Sequence, residues 1–102
     1  MARRQELNRK LTEVLGSNNV YFNPPETIKL KYPCVVYNPS GMDIRYADDK
    51  AYRNVKKYQL TVIDRNPDSN IADQIIEAFQ HCSVERWFVY DELNHWVLRL
   101  FY

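Results

Sequence analysis

Two histidines and two cysteines are the residues in this chain best suited to chemistry. His81 and Cys82 are adjacent, and His95 lies further along. Adjacent helical residues point roughly 100° apart, so His81 and Cys82 cannot readily face one ion. No fourth ligand stands at ordinary zinc spacing. The set therefore reads as one thiol and two imidazoles, with no metal and no cofactor. Cys34 follows Pro33 in an apolar run, where a thiol is desolvated and inert, and no base is placed to activate it. Neither cysteine belongs to a C-x-x-C pair, and both read as free, buried thiols in a reducing compartment. Asp64, Asp68 and Asp73 resemble a carboxylate cluster, but Asp68 fits a helix cap and Asp73 a first-turn acid favoured by the helix dipole. With Gly16 and Gly41 the only glycines, no phosphate-cradling loop can form. The expectation is a protein that is not an enzyme.

Lys50, Tyr52, Arg53, Lys56, Lys57 and Tyr58 interleave bases with aromatics, as nucleic-acid-binding surfaces do. Asp43, Asp48 and Asp49 lie alongside, so a solvated strand face or a charged subunit contact fits better. The whole chain is nearly balanced, with 14 Lys plus Arg against 13 Asp plus Glu, net +1. A dedicated nucleic-acid binder normally carries a basic excess on one face.

The elements that must position these groups follow from periodicity. Leu7, Leu11, Val14 and Leu15 form one helical stripe, and Gly16 stops it. Val20-Tyr21-Phe22 is a short extended piece. Residues 27–32 alternate, but Pro33 follows at once, so an edge or extended loop is predicted. Cys34 to Tyr37 reads as a buried strand, 42–47 as a second, and Tyr52 to Asp64 as a long one with Tyr58, Leu60 and Val62 on one face. Asp68, Ser69 and Asn70 can each cap a helix in which Ile71, Ile75, Ala78, Phe79 and Cys82 recur, ending near 80–83. Val84 to Tyr90 and His95 to Tyr102 are two more strands, joined by Asp91-Glu92-Leu93-Asn94. The predicted order is α-β-β-β-α-β-β, a mainly antiparallel sheet with two helices on one face, the α+β class.

At 102 residues the chain is read as one domain, with residues 1–19 an N-terminal helix and loop and 20–102 the sheet and second helix. No apolar run reaches the roughly 18 residues that span a bilayer, and no apolar signal core follows Arg3-Arg4, so neither membrane insertion nor export is expected. Four Phe, eight Tyr and two Trp are many aromatics for so thin a core. Part of them is expected at an interface with another chain. The closing run Leu100-Phe101-Tyr102 either pairs with a neighbour or lies centrally and covered; the sequence leaves both open.

Tyr32-Pro33-Cys34-Val35-Val36-Tyr37, Tyr46-Ala47-Asp48, the run from Tyr58 to Ser69 and Leu93-Asn94-His95, in this order and spacing, resemble a family of small structural proteins of tailed bacteriophages. These are the tail terminators, tail-completion proteins and minor capsid proteins. The resemblance spans about Val20 to Tyr102, and the opening helix is generic. It implies a virion protein of the tail or neck, assembled in the host bacterial cytoplasm. It implies a homohexameric ring that caps the tail tube protein, docks the head–tail connector or stopper protein, and lets genomic DNA pass without sequence-specific binding. Another head–tail joining role, in head completion or the minor capsid, is the alternative; a nucleic-acid-binding module comes behind it. The family has no active site to transfer. Tyr46, Tyr52, Arg53, Lys56 and Lys57 are the residues expected at the subunit interface.

Overall fold

The structure, a computed structural model, describes residues 3–40 and 56–102. Helix α1 runs over Arg3–Leu15, β1 over Val20–Phe22, β2 over Cys34–Pro39, β3 over Lys57–Asp64, α2 over Ile71–Ala78, β4 over Cys82–Tyr90 and β5 over Leu93–Phe101. The predicted α+β order is therefore present. The first of its strands is the extended piece Val20–Phe22, which pairs in parallel with β2. Residues 27–32 form a loop rather than a strand. The expected strand at 42–47 and the start of the expected strand at 52–64 lie outside the described residues.

The strands form one sheet in the order β1-β2-β3-β5-β4. All pairs other than β1–β2 are antiparallel. Period-two alternation puts Val35 and Tyr37, then Tyr58, Leu60 and Val62, then Leu98 and Leu100 on one face, all buried. Leu7 and Leu11 of α1 and Ala72 and Ile75 of α2 close over that face, with Phe79 completing the core. Gly16 ends α1 in the left-handed region at φ +80, its amide donating to the Thr12 carbonyl.

Hydrogen bonds fix α1 on the sheet. The Tyr37 hydroxyl donates to Asn8 Oδ1 at 2.8 Å, and the Tyr102 hydroxyl donates to Glu6 Oε1 at 2.6 Å. Burial holds the Tyr37 hydroxyl above its usual pKa, which keeps it a donor.

Helix α2 is shorter than its apolar spacing predicts. Phe79 is already extended (φ −121, ψ 146), and Cys82 is the first residue of β4. The extended backbone sends the Phe79 ring into the core, edge-on to Tyr102 at 5.7 Å. A spacing of 71, 75, 79 and 82 thus reflects burial on one side without a continuous helix. Asn70 occupies the N-cap position, and neither it nor Asp68 caps through its side chain. Ser69 Oγ accepts from the Ile71 amide at 3.4 Å, while the Asp68 amide donates to Asn66 Oδ1. The β4–β5 hairpin is tighter than expected: Asp91 and Glu92 alone form its tip, both at positive φ (56 and 62). That is the backbone sense a two-residue hairpin loop requires.

Candidate functional site

The groups that could do chemistry are held apart. Cys82 pairs with Leu100, and His95 with Phe88, so the two lie five residue steps along the β4–β5 ladder. At about 3.3 Å per residue that is roughly 16 Å. His95 Nδ1 lies 3.0 Å from the Leu93 carbonyl, and its ring stacks on Phe88 at 4.8 Å. Cys34 is fully buried, and burial, with Asp64 nearby, pushes its thiol up to about 12; burial alone pushes Cys82 up to about 11. Both cysteines are free thiols that stay protonated at neutral pH. Asp64 serves a turn, its Oδ1 accepting from the Asn66 amide at 3.1 Å. No group of three or more His, Cys, Asp or Glu among the described residues could hold a metal ion.

Of the predicted interface residues, Tyr46, Tyr52 and Arg53 lie outside the described residues. Lys56 is exposed, and its backbone exchanges two hydrogen bonds with Tyr102. Lys57 is half-buried and pairs with Phe101. Tyr58 is a core residue, its ring 6.1 Å from that of Tyr37, so it cannot stack on a base. The closing run settles on the covered alternative, because β5 lies between β3 and β4.

The exposed apolar surface is on β4, which sequence periodicity presented as an ordinary strand. Val84, Trp87, Val89 and Tyr90 are 48%, 54%, 56% and 72% exposed, and Phe88 is exposed as well. The pairing registers explain why. One row crosses the sheet through Val35, Val62, Trp96 and Trp87, and a second through Tyr37, Leu60, Leu98 and Val84. Both rows are buried at β2 and β3 beneath the helices and emerge at β4. Only at its start, through half-buried Cys82, does β4 pack on the core.

Phe88 and Tyr90 point to the opposite face, Phe88 lying between the stacked His95 ring and the Arg86 guanidinium, 5.3 Å from its centroid. The strand thus exposes apolar side chains on both faces, and among the described residues its outer edge has no pairing strand. A bulge at Val84/Arg86 interrupts the ladder, and Glu85, displaced there, receives Arg99 Nε at 3.4 Å. Beyond the bulge, antiparallel alternation from the His81–Phe101 hydrogen bond turns the amides and carbonyls of Trp87 and Val89 away from β5.

No protein-family model, curated protein or solved structure matches the chain. The site is therefore read from its own geometry. Edge strands that do not pair carry charges, prolines or heavy twist to block association; β4 has one bulge and two charges, Glu85 and Arg86, both beside that bulge, against five exposed apolar side chains. Exposed apolar surface of this kind on a strand edge is suited to contact with another protein chain.

Proposed function

We propose that this chain is a structural subunit of a tailed-phage neck, a tail terminator whose copies close into a ring on the last turn of the tail tube. The observation that carries the reading is the long, apolar, open edge of β4. The sequence resemblance supplies the setting, and the runner-up within it is another head–tail joining subunit.

The action is geometric. A subunit that uses two different surfaces to hold its neighbours makes a heterologous contact, which closes as a ring when the rotation per subunit is right. A ring that copies the tube's contact surface on one side alone halts growth and leaves the other side for the head connector. No step of this needs a reacting group, and the protonated thiols and separated histidines fit that role.

Light scattering with negative-stain imaging, in solution and with purified tail tubes, tests the proposal. Rings, free or seated on tube ends, are the expected result. A chain that stays monomeric in both settings contradicts it.

A further inference from the structure

The two edges of the sheet are unequal in length, β4 having nine residues and β1 three, but complementary in charge and strand direction. One edge is β4 with its hairpin tip; the other is β1 with the loop that follows. Among the described residues six large apolar side chains are exposed: five on β4, and the sixth, Ile28, in the loop after β1. That loop is tied to β1 by the Lys31 amide, which donates to the Tyr21 hydroxyl at 3.4 Å. Residues 82–93 carry Glu85, Asp91 and Glu92 against Arg86, net −2, and residues 20–33 carry Lys29 and Lys31 against Glu26, net +1.

Strand direction makes the same match. β1 and β2 run one way, β3 the other, β5 with β2, and β4 with β3. When one copy follows another by rotation about an axis near the strand direction, β4 of the first meets β1 of the second antiparallel, and antiparallel pairing is the more stable kind.

We infer that β4 of one copy docks antiparallel on the β1 edge of the next, Val20–Phe22 with Ile28, so that the sheet runs on from subunit to subunit. This rests on the ring reading and names the surfaces that build it. A buried aromatic side chain covers about 150–250 Å², so the exposed parts of Trp87, Phe88 and Tyr90 with Val84 and Val89 come to roughly 500 Å². A stable interface buries about 800 Å² per partner, so β4 alone supplies more than half of one side. The apolar strand gives the contact its affinity, and the acidic hairpin tip meets Lys29 and Lys31.

The test uses two variants of the full chain, Trp87→Asp/Val89→Asp on β4 and Ile28→Asp/Lys31→Glu beside β1. Circular dichroism and thermal melting verify that each folds, as substitution of exposed side chains predicts. Assembly is then followed by light scattering, alone and on tail tubes. Each variant alone is expected to need at least about tenfold more protein to assemble, the size of a hot-spot loss. Mixed, they retain one intact β4 and one intact β1 edge, and are expected to form a heterodimer that grows no further. Loss of assembly in the β4 variant with parental assembly in the β1 variant would show a two-fold β4–β4 contact and overturn the inference. Rings of the parent and of both variants alike would overturn it while leaving the ring reading standing. A parent that never assembles, on tubes or off them, would defeat both.

Discussion

Trp87 and Trp96 stand opposite one another across the β4–β5 ladder, yet Trp96 packs against the core and Trp87 is 54% exposed. One strand step separates a tryptophan packed on the core from one that is half exposed. The position of that step, at the margin of what two short helices shield, leaves the apolar side chains of β4 exposed.

Side chains on the two sides of this step should respond differently to truncation. Leu98 is fully buried in the ladder between Leu60 and Val84. Leu98→Ala should cost about 2–5 kcal/mol in urea unfolding, the range for a cavity in a packed core. Val89→Ser, on the exposed edge, should stay within about 0.5 kcal/mol when measured on the dilute monomer.

Asn94 is the buried polar residue of the described structure. Its Nδ2 donates to the carbonyls of Asp64 at 3.3 Å and Arg65 at 3.4 Å, fixing the end of β3 to the start of β5. Asn94→Leu leaves both carbonyls without that donor, and unfolding free energy should fall by about 1–3 kcal/mol.

The thiols predict a pH dependence. Burial raises Cys34 from 9.0 to about 12 in the folded chain, so the folded state holds this proton more tightly than the unfolded one. Stability from this group is complete below pH 9 and is lost as pH rises from about 9 toward 12, by at most about 1.4 kcal/mol per pH unit for one proton. Denaturant titrations at stepped pH should show that decline, and Cys34→Ala should flatten it. At pH 8, iodoacetamide should label Cys34 only in the unfolded protein.

The hairpin tip carries strain that glycine would relieve. Asp91 and Glu92 both sit at positive φ, where a side chain is disfavoured. Glu92→Gly should raise the melting free energy by roughly 0.5–1 kcal/mol, as read by thermal unfolding.

Much of this architecture was legible in the residues. Alternation in Tyr58–Val62 and Trp96–Tyr102 fixed which side chains face the helices, and the stripe Leu7–Leu15 with Gly16 fixed α1. The end of α2 was not legible, because Phe79 and Cys82 keep a helical spacing while their backbone is extended. The edge position of β4 was also hidden. Val84–Tyr90 reads the same whether a neighbour covers it or not, and only the strand order, a long-range property, reveals the open side. Of the charged stretch favoured from sequence, Lys57 pairs with Phe101, five ladder steps from Trp96, the partner of Trp87, while Tyr46, Tyr52 and Arg53 lie outside the described residues.

Hydrogen exchange at the Trp87 and Val89 amides tests the central claim most directly, since these groups point off the open edge. They should exchange fast in dilute chain and slow at least about 100-fold on assembly, as strand amides do when they gain a partner. Equal exchange in assembled and dilute protein would show that β4 is not where the copies meet.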